Sequence, residues 1–175
     1  MHTRCVTSIR SARIALSSIA LAFGAASHAA PARWPDACAN ALTRVLPGWR
    51  HATPPPDALA WARNNRLNPT VTRGDFDADR RSDWAALVNA PDGSAKVAVC
   101  FSSKGRRLPP RLMLIDEPYC HDVLFLARAG SVHENFETRI DERLARDGIS
   151  VSCFEKAGAT YLFERGRWRF IVDSD

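Results

Sequence analysis

The sequence predicts an α+β fold in which one N-terminal helix, or two, packs on a curved antiparallel β-sheet. Near the start of the chain, apolar residues recur at three- and four-residue spacing, which is typical of amphipathic helices. Farther along, short apolar runs are separated by turn residues, which is typical of antiparallel strands. The distribution of the cysteines also predicts that disulfides staple this domain.

The first 29 residues have the features of a signal peptide. Three arginines and no acidic residue occur there, and an apolar run from Ile14 to Phe23 is followed by small residues ending at Ala29. The run is shorter than the ~20 residues that span a bilayer. We therefore expect cleavage after Ala29, a single mature domain over residues 30–175, a periplasmic or extracellular location and no membrane span.

Removal of residues 1–29 leaves 146 residues, a length that can bury one hydrophobic core. The mature chain has 21 basic and 19 acidic residues, so its formal net charge is +2 rather than the +5 of the whole chain. Its arginines are scattered, with pairs at Arg80-Arg81 and Arg106-Arg107, and none interleaves with aromatic residues as in a phosphate-tracking surface. We expect no nucleic-acid partner and interpret the pairs as solvated surface.

Four cysteines remain after cleavage: Cys38, Cys100, Cys120 and Cys153. An even number in an oxidising compartment predicts two disulfides. A zinc site is the less favoured alternative, because the shortest gap between any two of these cysteines is twenty residues. Three pairings are open, and the spacing does not select among them.

Two helices are predicted at the start of the mature chain. Asp36 is placed to cap the first, and Pro47-Gly48 ends it. Its apolar face consists of Cys38, Leu42, Val45 and Leu46. A proline-rich connector over residues 51–57 leads to a second short helix over residues 57–63.

Strands dominate from Val71 onward. A hairpin is predicted with strands over residues 84–88 and 96–101 and a turn at 91–94. Further strands are predicted over residues 111–115, 123–127, 149–154, 160–164 and 167–172, so that the C-terminal half forms a meander. The polar stretch 134–146 has Phe136, Ile140 and Leu144 at helical spacing, which predicts a helix, with an extended linker as the alternative.

One acidic loop before the first hairpin has the ligand types that calcium prefers. Its aspartates stand at relative positions 1, 3, 5 and 9: Asp75, Asp77, Asp79 and Asp83. Calcium takes six to eight oxygen ligands, and such a loop offers side chains at odd positions and the backbone carbonyl of position 7, which is Arg81. An EF-hand is excluded because position 12 is Ala86 rather than glutamate. The loop therefore predicts one structural calcium ion on these five residues.

The stretch from Gly74 to Ala85, GDFDADRRSDWA, resembles the calcium loop of the FG-GAP and VCBS repeats known from integrin α-chain propellers and bacterial secreted proteins. In that pattern, G-D-F-D-G-D-G-x-x-D leads into a strand. The resemblance implies a calcium-stabilised loop, with affinity at the weak end for extracellular modules because Ala78 and Arg80 replace the usual glycines. A propeller needs at least about four blades of four strands, so the resemblance is confined to the loop and hairpin.

No catalytic motif is recognisable in the chain. The nucleophile elbow, the H-E-x-x-H helix and the phosphate-binding glycine loops are all absent from the sequence. His121 adjoins Asp122, but neighbours on a strand point to opposite faces, so we interpret it as a surface histidine. The serines at 102–103 and 150–152 have no identifiable base, and a pair of Glu117 with Glu155 is not favoured over two exposed carboxylates.

These observations favour a non-enzymatic binding module that presents a sheet face or edge to a protein or cell-envelope partner. The alternatives are a periplasmic inhibitor or immunity-type protein acting on a hydrolase and, less favoured, a cell-envelope hydrolase. An exposed apolar patch would favour the binding module. Convergent carboxylates with shifted pKa values in a polar cleft would favour the enzyme.

Overall fold

The structure, a computed structural model, describes residues 33–103, 109–116, 118, 120–153 and 156–174. These residues contain two helices and eleven strands, and the strands form two antiparallel sheets. The predicted α+β class is therefore correct, but the strands form two sheets rather than one. The predicted signal peptide, Arg106-Arg107, Glu117 and Glu155 lie outside the described residues.

The helices are α1 (Asp36–Val45) and α2 (Pro56–Asn64). The strands are β1 (Arg50–His51), β2 (Val71–Gly74), β3 (Asp83–Asn89), β4 (Ala95–Phe101), β5 (Arg111–Asp116), β6 (Val123–Ala127), β7 (Val132–Asn135), β8 (Ile140–Arg143), β9 (Gly148–Cys153), β10 (Ala157–Glu164) and β11 (Arg167–Ser174).

The first sheet has the order β1-β3-β4-β5. Strand β2 also pairs with β3, so β1 and β2 occupy successive stretches of one β3 edge: Arg50 lies opposite Asn89, and Val71 opposite Ala86. The predicted hairpin is confirmed as β3 and β4. Its turn contains Gly93 with φ 86°, a left-handed angle that glycine adopts without steric cost.

The second sheet has the order β6-β9-β10-β11-β7-β8. Four of the predicted strands, β6, β9, β10 and β11, form an antiparallel meander in that order, as predicted. The prediction is wrong for β5, which pairs with β4 in the first sheet, and for the β7–β8 hairpin, which attaches to the far side of β11. Long-range pairing, rather than chain order, places this hairpin.

The main core lies between the two sheets. One face of the first sheet contributes Leu87, Val97 and Phe101, and one face of the second contributes Leu124 and Phe163, all buried. The rings of Phe101 and Phe163 lie 4.9 Å apart, a distance favourable for aromatic pairs. Successive side chains along β3 and β4 point to opposite faces, so one set packs toward the second sheet and the other toward α1, and both sets are buried.

Helix α1 covers the opposite face of the first sheet. Cys38, Leu42 and Trp34 pack there against Val88 and Ala98. The helix is confirmed, but two details of its prediction are wrong. Asp36 lies within the helix and Pro35 precedes it without a side-chain cap, and Val45 is exposed rather than on the buried face.

The predicted second helix is confirmed as α2. Two prolines open it, and a helix tolerates proline in its first turn because those N–H groups have no partner within the helix. Ala58 and Ala62 are its buried residues, and the Trp61 ring lies 6.2 Å from that of Phe125 on β6. None of the helices in the described residues is long and apolar enough to cross a membrane.

The stretch predicted as a helix over residues 134–146 is instead the β7–β8 hairpin, so that prediction is wrong. The side-chain oxygen of Asn135 accepts the N–H groups of Glu137 and Thr138 at 3.0 and 3.2 Å, which closes the turn. Arg139 has φ 57°, which breaks a right-handed helix. The N–H of Phe136 donates to the Val172 carbonyl at 2.8 Å and thereby attaches the hairpin to β11.

The prediction of two disulfides is confirmed. Cys38 pairs with Cys100 and joins α1 to β4, whereas Cys120 pairs with Cys153 at the end of β9. Disulfides persist in oxidising environments, so both bonds indicate a non-cytoplasmic, oxidising location.

Candidate calcium loop and its surroundings

The acidic loop closes the pair formed by β2 and β3. Gly74 and Asp83 lie opposite each other at its ends. A Cβ atom on Gly74 would lie 2.6 Å from Leu126 and 2.8 Å from Phe76, so this glycine permits close packing. The Phe76 side chain is fully buried in the main core. The Gly-Asp-Phe-Asp segment therefore anchors the loop between the two sheets.

Three of the four predicted carboxylates come together. Asp75, Asp77 and Asp83 each offer a ligand oxygen, and these atoms lie within 4.8 Å of one another. Asp79 is not part of this group, and one of its oxygens lies 3.9 Å from the Arg81 Nε atom. Convergence of three carboxylates without a cation between them is electrostatically unfavourable.

Backbone N–H groups hold these carboxylates in place. Asp75 accepts hydrogen bonds from the N–H groups of Asp79 and Arg80, both at 2.9 Å. Asp83 accepts from the N–H groups of Phe76 at 3.0 Å and Ser102 at 2.9 Å. The loop is therefore shaped around its acidic side chains, whose remaining lone pairs can accept a cation.

Ala78 and Arg80 have φ angles of 60° and 68°. They are the two positions at which the FG-GAP-like pattern usually has glycine. Both residues therefore have a left-handed backbone without being glycine, the residue that tolerates it best.

The buried carboxyl of Asp83 has an altered acidity. Burial raises its pKa from 3.8 to about 6, and the neighbouring charges of Asp77 and Asp79 act in the same direction. The two N–H donors from Ser102 and Phe76 oppose that rise by favouring the charged form. A cation at the cluster would likewise favour the ionised carboxylate.

Arg81 occupies position 7 of the loop. Its N–H donates to an Asp79 oxygen at 2.9 Å, and its guanidinium donates to the Ser103 carbonyl at 2.6 Å. The side chain is thereby tied to the segment after β4.

Asp147 was not identified from the sequence, yet it connects the loop to the second sheet. One of its oxygens accepts the N–H of Asp75 at 3.0 Å, and the other accepts the N–H of Ala129 at 2.9 Å. It lies 72 residues from Asp75 in the chain, so no local pattern indicates the contact. The contact holds the start of the loop against the second sheet.

An open cleft of about 410 Å³ lies beside the loop. Loop residues Asp75, Arg80 and Arg81 and the β2 residue Arg73 line one part of it, and Leu126, Arg128 and Asp147 from the second sheet line another. All four arginines are exposed.

A polar network on the second sheet was also not identified from the sequence. Thr160 donates to Asp173 at 2.7 Å and lies 2.6 Å from the Ser150 hydroxyl, and both Thr160 and Ser150 are buried. The Nδ1 atom of His133 lies 3.1 Å from the other Asp173 oxygen, and its Nε2 atom lies 3.0 Å from the Ser131 hydroxyl.

Hydrogen-bond contacts therefore connect Ser131, His133 and Asp173 in series. The surroundings of these side chains differ from those of a catalytic triad. The Ser131 hydroxyl donates to the Arg128 carbonyl at 2.7 Å, and the Ser131 N–H donates to that same carbonyl at 3.1 Å. That N–H is thus not available to stabilise an oxyanion. The contacts instead fix the turn before β7 and join it to β11. His121, the other histidine considered from the sequence, is exposed.

No protein family matches this chain, and neither does any curated protein sequence or solved structure. The resemblance to FG-GAP and VCBS loops therefore rests on the twelve residues from Gly74 to Ala85.

Proposed function

We propose that this chain is a secreted, non-enzymatic binding module that engages a protein partner through its β7–β8 hairpin and is stabilised by calcium in its acidic loop. The main observation in support of this function is the exposure of apolar side chains on the hairpin. Val132, Phe136 and Ile140 are 48%, 47% and 66% exposed, although each is a large hydrophobic residue. They lie on both faces and in the turn of one hairpin rather than in one patch, so a partner that encloses the hairpin would cover all three.

The position of the hairpin supports the same function. Strand β8 ends the strand order of the second sheet, so one edge of β8 carries backbone groups without a strand partner in the described residues. Val132 lies opposite Arg143 and Asn135 opposite Ile140, which puts Val132 and Ile140 on opposite faces of the hairpin. A partner strand added to β8 would gain main-chain hydrogen bonds and an apolar contact on each face.

The carboxylate cluster favours a structural role over catalysis. Asp83 has a raised pKa, but its side chain is fully buried and both oxygens accept backbone N–H groups. A carboxyl so enclosed has no access to a substrate.

The inhibitor or immunity-type alternative would use the same hairpin, with a hydrolase as the partner.

The partner surface is tested by affinity capture from an envelope extract of the source cells. We expect a protein that is retained by the unmodified domain and lost from Ile140→Asp. The matched control is Val45→Asp on α1, because Val45 is 59% exposed and lies away from the hairpin. Equal capture by Ile140→Asp, or retention of nothing except a second copy of this chain, would overturn the proposal.

The calcium loop is tested by thermal unfolding. At an affinity of ~10⁻⁴–10⁻³ M, 1 mM calcium adds only about 0.4–1.4 kcal/mol, which is a melting shift of a few degrees. We expect this shift in the unmodified domain and its loss in Asp77→Asn, with Asp57→Asn on α2 as the control. Magnesium should have little effect, since it rarely accepts an irregular oxygen cage. A melt indifferent to ~10 mM calcium would leave the loop as an acidic turn.

The proposed secretion is supported by the N-terminal sequence and by the two disulfides. N-terminal sequencing of the protein recovered from its native compartment should begin at Ala30. A product that retains Arg13 would contradict secretion by this route.

A further inference from the structure

We infer that the arginine cleft beside the acidic loop, lined by Arg73, Arg80, Arg81 and Arg128, binds a phosphomonoester group. This site is separate from the hairpin surface and does not depend on the proposed protein partner. It differs from the expectation that the Arg80-Arg81 pair is merely solvated surface, because the fold brings two distant arginines to the same cleft.

The charge of the cleft is unbalanced. Four arginines and two aspartates line it, which leaves a formal net charge of +2. Among the described residues, Arg73, Arg80 and Arg128 form no salt bridge, and Arg81 has only the 3.9 Å contact with Asp79, outside the lining. Because guanidinium groups outnumber carboxylates in the lining, the electrostatic potential of the cleft favours a bound anion.

The two acidic residues of the lining are already engaged by the main chain. Asp75 accepts the N–H groups of Asp79 and Arg80, and Asp147 accepts those of Asp75 and Ala129. These carboxylates position the cleft walls through backbone contacts.

One Arg81 donor is used by the Ser103 carbonyl, and the Arg73 guanidinium lies over the Trp84 ring. Among the described residues, the donors of Arg80 and Arg128 and the remaining donors of the other two arginines face no carboxylate partner in the cleft and can serve a ligand.

Arg80 contributes a guanidinium to the cleft from a residue with a φ of 68°, an angle at which glycine is favoured. Arg66, Arg139 and Arg165 also have positive φ angles, so the angle by itself indicates no function. At position 80 it means that the guanidinium can be removed by a glycine substitution that also relieves the backbone.

The ligand class follows from charge and shape. A phosphomonoester carries about −1.5 to −2 charge at neutral pH and three terminal oxygens, which match a net charge of +2 and several arginine forks. A single carboxylate has half that charge and two oxygens. A volume of about 410 Å³ exceeds that of one phosphate ion and leaves room for an attached group such as a sugar.

The test is calorimetric titration in chelator, so that the calcium proposal does not influence the result. The probes are glucose 6-phosphate and inorganic phosphate, with glucose and acetate as controls. We expect saturable binding of a phosphate probe that weakens with added salt. Tighter binding of glucose 6-phosphate would assign the site to an ester, and equal binding would assign it to the phosphate group alone.

The decisive variants are a matched pair at positive φ. Arg80→Gly removes the guanidinium while relieving the backbone, so it should fold at least as stably as the unmodified chain yet bind about ten- to hundredfold more weakly. Arg66→Gly is the control, since Arg66 is also exposed with φ 55° but does not line the cleft. Absence of saturable phosphate binding, or equal weakening by the two variants, would overturn the inference.

Discussion

Ala78 illustrates how a single backbone angle limits the acidic loop. A residue with a Cβ atom at φ 60° incurs a steric cost of about 1–2 kcal/mol, which glycine largely avoids. The sequence identified this position as a departure from the FG-GAP-like pattern. The structure adds that this residue has a positive φ angle, the conformation that glycine adopts most easily.

We therefore expect Ala78→Gly to raise the free energy of unfolding by about 0.5–1 kcal/mol, since the relieved strain exceeds the extra chain entropy of glycine in the unfolded state. Urea unfolding of the two proteins measures the difference. Ala39→Gly within α1 is the control and should lower the free energy of unfolding by about 1 kcal/mol. A loss of stability in Ala78→Gly as large as in Ala39→Gly would contradict this account.

Contacts between residues close in the chain could be predicted from their spacing. Contacts between segments distant in the chain could not. The alternation of Asp75 and Asp77 along a tight loop indicates their convergence directly, and Asp83 joins them at the first residue of β3. Asp147 reaches the same loop from a residue between β8 and β9. Its contact depends on the packing of two sheets, which no short pattern encodes.

At the scale of elements, the β7–β8 hairpin shows why helical spacing alone was misleading. Phe136, Ile140 and Leu144 are spaced by four residues, but they occupy a turn, a strand and the segment after it. Leu144 packs with Leu162 and Ile171 in a small cluster of the second sheet. Pairing with β11 decides the conformation of this segment, and that information is absent from its own sequence.

Arg169 on β11 connects the hairpin to the rest of the second sheet. Its Nε atom donates to Glu164 at 2.9 Å, and its two terminal nitrogens donate to Glu142 on β8. These hydrogen bonds lower the pKa of Glu164 and raise that of Arg169. Because the three side chains are each more than one-third exposed, solvent screening limits the network to about 1 kcal/mol.

We expect Arg169→Gln to speed amide hydrogen exchange in β8 while changing the global free energy of unfolding by only about 1 kcal/mol. Arg167→Gln is the control, since Arg167 lies on the same strand and is exposed. The pKa of Glu164 is lowered in the fold, so the stabilisation is present above its ordinary value of 4.5 and is lost as pH falls through the lower folded value. A difference between Arg169→Gln and the unmodified chain that persists undiminished at pH 2 would contradict this assignment.

At the scale of the whole molecule, three layers lie in sequence: helix α1, the first sheet and the second sheet. The apolar pattern predicted the helix and most strands, because each carries its own periodicity. It did not predict that they divide into two sheets, since the partner of each strand is set by contacts distant in sequence. The cysteines predicted two bonds without their pairing for the same reason.

The two disulfides act on different parts of this arrangement. Cys38–Cys100 spans 62 residues and ties α1 to the first sheet, whereas Cys120–Cys153 spans 33 residues and joins the segment before β6 to the end of β9. In the chain-entropy description, longer closed loops restrict the unfolded chain more. Those separations correspond to about 4.3 and 3.7 kcal/mol of stabilisation.

We expect the double substitution Cys38→Ala with Cys100→Ala to lower the free energy of unfolding by about 4 kcal/mol, and removal of the other bond to cost slightly less. A domain of this size is typically stable by about 5–15 kcal/mol, so each variant should still fold when the other bond is intact. Urea unfolding measures both losses, and hydrogen exchange distinguishes them. Protection in α1 should fall selectively in the first variant, because its helix is then held to the first sheet by apolar contacts without a covalent bond. Equal exchange in α1 for both variants would show that packing alone holds the helix and that the bond acts only on the unfolded chain.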